Sequence, residues 1–293
     1  MISPRSFLFV PGDSERKMEK AGASAADALV LDLEDSVSSE QIGFARNCVL
    51  KYLAGSSDRA RQQVWVRINA LDSNKALDDL SAIVAGAPDG VLLPKCSSSN
   101  EVVILDHYLT ALESREGLNI GRIKILPVAT ETAASVFELG TYRGCSERLF
   151  GLTWGAEDLS TAVGASTNRE ADSSLAFTYK LARSLCLLGA KAAGVHAVDT
   201  IRADFRDLEG LHEEVRSASK EGFTAKFAIH PSQIDAINAG FLPDESEIEH
   251  AKAVIAAFEA SQGKGVVQLN GKMLDKPHLT QAQNTLARLP ATT

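Results

Sequence analysis

The feature of this sequence that most restricts its fold is a repeated alternation of short apolar runs with longer helical segments. Eight such runs lie within residues 7–10, 28–31, 64–66, 90–93, 123–131, 148–158, 193–198 and 226–229. Runs this short, bounded by Gly, Pro or polar residues, are typical of buried parallel strands. Eight strands that alternate with helices predict an α/β fold of the (β/α)₈ type, the TIM barrel, over residues 1–242.

The pattern changes after Pro243. Residues 244–261 read as one amphipathic helix, 266–269 as a short strand, 270–277 as a turn and 278–289 as a final helix. We therefore predict a C-terminal helical extension over 243–293, extra to the barrel. We expect this tail to act as a lid that covers the active-site face of a neighbouring subunit. Within the barrel, Gly189 is the predicted C-cap of a helix over residues 173–188.

Composition excludes several classes of protein. The net charge is −8, which argues against nucleic acid as the main partner, because such domains usually carry a basic surface. No apolar stretch reaches transmembrane length, so we expect no membrane association. The four cysteines form no CxxC pair, which argues against a zinc site and favours free thiols in a reducing compartment. We expect a cytoplasmic protein.

Polar residues follow most of the predicted strands where each strand ends. In a barrel these ends share one face, and that face carries the active site. Polar turns alone explain some of these residues, but less easily the cations Arg67 and Lys95 directly after apolar runs. The seven residues expected at this face are Glu34, Arg67, Lys95, Glu131, Asp158, Asp199 and His230.

Glu131 and Asp158 follow neighbouring strands, which predicts that their carboxylates lie side by side. Two carboxylates are the usual protein ligands of Mg²⁺, although Asp158 could instead cap the next helix. Arg67 has the planar fork that binds a carboxylate, or it pairs with Glu34 or Glu131. Lys95 is better explained by an ion pair than as a Schiff-base nucleophile, and His230 either moves a proton or starts a helix. Together these residues predict a Mg²⁺-dependent enzyme for a small oxyacid.

Several motifs, in order along nearly the whole chain, resemble the citrate lyase β-subunit family. This family lies within the HpcH/HpaI aldolase superfamily and includes malyl-CoA and citramalyl-CoA lyases. The match is specific for the family and not for a substrate. The segments that carry the resemblance are Arg5–Gly12, Leu31–Asp35, Val66–Asn69, Leu93–Lys95, Glu131–Ala133, Gly155–Leu159, Asp199–Thr200 and Ile229–Pro231.

The resemblance implies roles for individual residues. Glu131 and Asp158 match the family's Mg²⁺ ligands, with Mn²⁺ as a substitute, and Glu131 also borders the substrate. Arg67 matches the arginine that binds the substrate's carboxylate or keto group. Phe9, Arg16 and Ile229 fall where the family contacts acyl-CoA, although the family often has Lys in place of Arg16. Gly271–Pro277 is similar to the C-terminal motif whose aspartate, here Asp275, is the catalytic acid–base.

Two departures from the family pattern lie near the expected metal site. Ser135 stands where many relatives have Gly, and Trp154 replaces a commoner aliphatic residue. The resemblance implies a homotrimer or hexamer that cleaves a 3-hydroxyacyl-CoA with a second carboxylate into an acyl-CoA and a 2-oxoacid. Two alternatives stay open: an aldolase on free 2-oxoacids, and a subunit of a lyase complex that acts on a carrier-protein-bound acyl group.

Overall fold

The computed structural model describes residues 3–56, 58–172, 174–261 and 265–289. The chain divides into two compact units, Met1–Ile237 and Asn238–Thr293. The boundary falls inside one helix, a few residues before the boundary predicted from the sequence. The described residues contain no helix that is long and apolar enough to cross a membrane.

The first unit is built on eight parallel strands that form a nearly closed barrel, so the predicted TIM-barrel fold is confirmed. The strands β1 and β8 pair with each other, and the remaining gap between β5 and β6 is bridged at Ile125–Leu149 and Val128–Thr153. The strands are β1 (Ser6–Pro11), β2 (Ala28–Asp32), β3 (Gln63–Arg67), β4 (Gly90–Leu93), β5 (Lys124–Pro127), β6 (Gly151–Thr153), β7 (His196–Asp199) and β8 (Ala225–Ala228).

Helices follow the strands around the barrel. They are α1 (Glu15–Gly22), α2 (Ile42–Gly55), α3 (Ala76–Ile83), α4 (Ser99–Arg115), α5 (Ala133–Phe137), α6 (Ala156–Ala162), α7 (Phe177–Ala193), α8 (Leu208–Glu221) and α9 (Ile234–Gly240), with 3₁₀ turns at Val84–Gly86 and Pro231–Gln233.

The predicted cap at Gly189 is wrong, because α7 continues to Ala193 and ends at Gly194. Gly194 has a φ of 74°, the left-handed conformation that favours glycine at a helix C-terminus. Gly189 instead lies inside the helix, where a Cβ atom would sit 2.7 Å from the carbonyl oxygen of Leu139. Its small size serves close packing rather than termination.

Alternate residues of the strands fill the barrel interior with large apolar side chains. Phe7, Trp65 and Phe227 belong to this core, and the Phe7 ring meets Trp65 edge-on at 5.7 Å between centroids. Residues of the other parity face the surrounding helices, as expected for a parallel sheet covered on both sides. This alternation determines which residues at the strand ends point into the barrel.

The second unit contains α10 (Glu245–Ala260), β9 (Val266–Leu269), β10 (Lys272–Asp275) and α11 (Lys276–Ala287) around its own small apolar core. The turn predicted over residues 270–277 is partly wrong, because β10 pairs antiparallel with β9. Only Asn270 and Gly271 form the turn, with φ values of 50° and 78°. An Asn-Gly pair with positive φ at both positions is the favoured connection of a two-residue hairpin.

Candidate active site

A cavity of about 400 Å³ lies at the carboxyl ends of the barrel strands. Its walls include five of the residues expected from the sequence to form the site: Phe9, Arg67, Glu131, Asp158 and Ile229. They follow different strands and meet because parallel strands end on one face of a barrel.

Glu131 follows β5 and is buried, with 7% of its surface exposed. Its carboxylate accepts a hydrogen bond from the backbone N–H of Lys95. Burial raises the pKa of Glu131 to about 8, and the negative charges of Asp158 and Glu34 add to the rise, while the Lys95 N–H opposes it. The site therefore holds a carboxylate whose charge lacks full compensation from the protein.

Lys95 adopts a backbone conformation that is rare for a residue with a side chain, with a φ of 51°. This conformation accompanies the hydrogen bond from its N–H to Glu131. Its ammonium group forms an ion pair with Glu34 and lies 4.0 Å from Asp158. Burial lowers the pKa of Lys95, but Glu34 and Asp35 outweigh that effect and raise it. Lys95 is thus a charged partner, as the ion-pair hypothesis predicts, and not a neutral nucleophile.

Asp158 lies in the first turn of α6, whose N-cap is Gly155. A Cβ atom at Gly155 would sit 2.9 Å from Cγ of Glu131 and 3.2 Å from its Oε1. Glycine is therefore required here for the close approach of the two segments. The interpretation of Asp158 as a helix cap is therefore wrong, because the cap position is taken by Gly155; Asp158 lies three residues later and lines the cavity.

Arg67, at the end of β3, is surrounded by three acidic side chains. Its Nε and Nη2 donate to the two carboxylate oxygens of Asp32, each at 2.7 Å. Nη1 lies 3.0 Å from Glu34 and 3.6 Å from Asp35. Burial raises the pKa of Asp32, but the hydrogen bonds and charge of Arg67 outweigh this and lower it. The sequence predicted Glu34 as a partner of Arg67 but not Asp32, because Asp32 ends a strand that is otherwise apolar and nothing in the pattern marks it for pairing.

The apolar side of the cavity is formed by aromatic and aliphatic residues. The Phe9 ring stacks on Phe227 with 5.0 Å between centroids, and the Arg67 guanidinium lies 4.9 Å from the Phe9 centroid. Ile229 is partly exposed beside them. Arg16 differs: it is exposed on α1 and is not among the described residues that line the cavity.

Four of the seven residues expected at this face are not among the described residues that line the cavity: Glu34, Lys95, Asp199 and His230. Asp199 is one of the alternate strand residues whose side chains face the surrounding helices. There it forms ion pairs with Arg183 and Lys226, each at 3.2 Å. His230 accepts a hydrogen bond from the backbone N–H of Ser232 and caps a 3₁₀ turn, so its helix-start interpretation is the one observed.

Asp275 lies in the second unit, at the end of β10 and the start of α11. Its carboxylate oxygen lies 2.6 Å from Nδ1 of His278, and half of its side chain is exposed. The carboxylate is thus half-exposed and lies beside an imidazole. Its predicted catalytic role stays a prediction.

A hard divalent cation fits the cavity on the chemistry of its donors. Glu131 and Asp158 line one cavity, and the raised pKa of Glu131 reflects a charge that a cation would neutralise. The described residues contain no group of three or more His, Cys, Asp or Glu side chains placed to hold a metal. A site with two protein carboxylates suits Mg²⁺, which keeps water or substrate oxygens as its other ligands.

The fold is that of the TIM-barrel class, and the carboxylates and the arginine lie at the carboxyl ends of the strands, where enzymes of this class carry their active sites. Residues 5–231 match the family model described as HpcH/HpaI aldolase/citrate lyase. The chain belongs to this family. The resemblance found in the sequence and the expectation of a lyase-family enzyme are thereby confirmed.

Named relatives agree with this assignment. The citrate lyase subunit beta of Escherichia coli K12 is 35% identical over 97% of this chain and 92% of the relative. A (3S)-malyl-CoA thioesterase of Cereibacter sphaeroides is 34% identical over 98% and 95%. A crystal structure of the Mycobacterium tuberculosis protein CitE, in complex with magnesium, acetoacetate and coenzyme A, has a TM-score of 0.81, with 34% identity over 97% of both chains.

Proposed function

We propose that this protein is a Mg²⁺-dependent carbon–carbon lyase. Its substrate is a 3-hydroxy dicarboxylic or tricarboxylic acyl-CoA of the malyl-, citramalyl- or citryl-CoA type, and its products are an acyl-CoA and a 2-oxoacid. The observation that carries the proposal is the placement of Arg67, Glu131 and Asp158 in one cavity. The magnesium and coenzyme A in the solved relative support this choice of cofactor and substrate class.

Glu131 and Asp158 hold the cation in this proposal, with Mn²⁺ as a substitute for Mg²⁺. When bound, the cation polarises the hydroxyl and carboxylate oxygens of the substrate. Lys95 contributes through its backbone N–H, which orients the Glu131 carboxylate. Arg67 is held rigidly by Asp32, so its positive charge is already in place when negative charge develops.

Cleavage breaks the bond between the carbinol carbon and the α-carbon of the thioester. The hydroxyl gives its proton to solvent and its oxygen becomes the keto oxygen of the 2-oxoacid, while the electron pair of the broken bond passes to the thioester enolate; solvent supplies the proton that Asp275 carries. Asp275 then delivers a proton to the α-carbon, and it removes that proton in the condensing direction. Phe9, Arg16 and Ile229 contact the acyl-CoA, with Phe9 and Ile229 providing the apolar side of the cavity.

The same proposal includes the assembly and location of the protein. If Asp275 completes a neighbour's site, the active form is a homo-oligomer, a trimer or a hexamer. A cytoplasmic location accords with the four cysteines, all of which are free thiols.

A substrate panel tests this function against its alternatives. We expect the purified chain to release keto acid from one of malyl-, citramalyl- or citryl-CoA without release of free thiol. Thiol release without keto acid would indicate a thioesterase, the activity named for the Cereibacter relative. Turnover of free 2-oxoacids alone, without any dependence on CoA, would indicate an aldolase. Activity only on a carrier-protein-bound acyl group would indicate a lyase-complex subunit, as the name of the Escherichia relative states.

A further inference from the structure

The turn between β6 and α6 brings Asp158 to the cavity, and its backbone is tied to the segment that carries Glu131. The backbone N–H of Ala129 donates to the carbonyl of Thr153 at 2.8 Å. The backbone N–H of Gly155 donates to the hydroxyl oxygen of Thr130 at 3.2 Å. Residues 153 and 155 are therefore fixed to the β5 side, and Trp154 lies between them.

The side chain of Trp154 is anchored on the opposite side, toward β7. Its indole Nε1 donates to Oδ1 of Asp199 at 2.7 Å, and both residues are buried. Asp199 is held in turn by Arg183 and Lys226. Burial raises the pKa of Asp199, but the charges of Lys226 and Arg183 outweigh that effect and lower it. The indole therefore donates to a charged acceptor, which makes a stronger hydrogen bond than a neutral one.

Trp154 also lines two neighbouring cavities. It borders the site cavity and a second cavity of about 610 Å³ that lies toward α7 and α8. The turn that follows it has little freedom, because Gly155 packs directly against Glu131. A shift of the indole toward the second cavity would move the start of α6, and with it Asp158, relative to Glu131.

We propose that Trp154 is a positioning residue, whose hydrogen bond to Asp199 fixes the β6–α6 turn so that Asp158 and Glu131 share one divalent cation. This inference rests on the proposed function for the role of the two carboxylates. Partners that orient metal ligands typically change metal affinity by about 10- to 100-fold when they are removed. Since Trp154 acts through the backbone, the lower end of that range applies.

The test compares two substitutions that each remove one indole N–H. The chain has two tryptophans. Trp65 is equally buried and donates to Gln63 at 2.8 Å, so Trp65→Phe is the matched control. Calorimetric titration with Mg²⁺ should show about tenfold weaker binding for Trp154→Phe and affinity within about twofold of wild type for Trp65→Phe. Saturating Mg²⁺ should restore kcat in Trp154→Phe, which a damaged fold would not allow.

Trp65→Phe also leaves Trp154 as the single tryptophan, whose emission can be excited separately from that of the four tyrosines. Its emission should change on Mg²⁺ addition, with the half-saturation found by calorimetry. If Trp154→Phe does not fold, this fluorescence titration still tests the positioning role of Trp154. Unchanged Mg²⁺ affinity in Trp154→Phe, or emission of Trp154 that ignores bound Mg²⁺, would overturn the positioning role alone. Failure of the wild-type protein to bind Mg²⁺ would overturn the proposed function and this role with it.

Discussion

Arg67 binds Asp32 through two parallel hydrogen bonds, from Nε to Oδ1 and from Nη2 to Oδ2, each 2.7 Å long. This fork occupies one edge of the guanidinium and leaves Nη1 for Glu34 and the cavity. Arg67 therefore presents its charge to the site from a fixed position.

We predict that Arg67→Lys is not conservative, because an ammonium group cannot reproduce the fork to Asp32. A loss of about 100-fold in kcat/KM, or about 2.7 kcal/mol, is expected in steady-state assays. Arg59→Lys is a suitable control, since Arg59 pairs with Asp89 at 2.8 Å and does not line the cavity. Near-wild-type kinetics of Arg67→Lys would assign Arg67 a structural role only.

The metal-free protein should lose stability as pH rises, because Glu131 has a folded-state pKa of about 8 against a reference value of 4.5. Between these values the folded state keeps a proton that the unfolded state has lost, so the free energy of unfolding falls with rising pH. In the wild-type protein the free energy of unfolding should fall by on the order of 3 kcal/mol between pH 5 and pH 8 because of Glu131, and this fall should be absent in Glu131→Gln. Denaturant titrations in EDTA measure this difference.

Mg²⁺ should raise the free energy of unfolding of the wild-type protein at pH 8, since a ligand that binds only the folded state stabilises it. The same addition should have little effect on Glu131→Gln. Equal stabilisation of both proteins by Mg²⁺ would mean that the ion binds elsewhere.

The buried Arg148 cluster should account for part of the acid sensitivity of the barrel. Arg148 donates to Glu113 at 2.6 Å and 2.9 Å, and Glu113 is fully buried. Burial raises the pKa of Glu113, but the hydrogen bonds from Arg148 outweigh this and lower it. A lowered pKa stabilises the fold above pH 4.5, and this contribution is lost as pH falls through the folded-state value.

Glu113→Gln should therefore lower the free energy of unfolding by about 3 kcal/mol at pH 7. The difference from wild type should shrink as pH falls from the reference value of 4.5 toward the lower folded-state pKa, below which the carboxylate of the folded wild-type protein is protonated as well. Chemical denaturation across this pH range measures both effects. A difference that stays constant with pH would show that the charge of Glu113 is not what stabilises the cluster.

Asp275→Asn should remove most turnover, at least about 100-fold, because an amide cannot exchange the proton that general acid–base catalysis requires. Folding and Mg²⁺ binding should persist, since Asn is also a favourable residue at the start of a helix. Asp244→Asn is the matched control, because Asp244 caps α10 in the same unit. Normal turnover in Asp275→Asn would exclude the residue from the mechanism.

Mixing Asp275→Asn subunits with Arg67→Ala subunits tests whether the tail serves a neighbour. Hybrid assemblies would contain some intact sites and recover activity. Proven subunit exchange without recovery would place Asp275 and Arg67 of one site in the same chain.

The sequence predicted the strands well, because buried parallel strands are short apolar runs with clear ends. It could not predict which strand-end residues face the cavity. Both faces of a parallel strand are apolar, so nothing marks Arg67 as inward and Asp199 as outward. The left-handed backbone conformation of Lys95 could not be predicted from the sequence either, since it accompanies a tertiary contact with Glu131. The hairpin at Asn270 and Gly271, in contrast, carried a local signal that was overlooked.

The most direct measurement is keto-acid release from the preferred acyl-CoA during titration with Mg²⁺ after EDTA treatment. The account predicts no release in EDTA and full recovery on Mg²⁺ addition for the wild-type protein. Glu131→Ala and Asp158→Ala should remain folded and show no recovery at any Mg²⁺ concentration. Full activity in metal-free buffer, or Mg²⁺-dependent activity in both variants, would contradict the assignment of these two carboxylates as the metal site of a lyase.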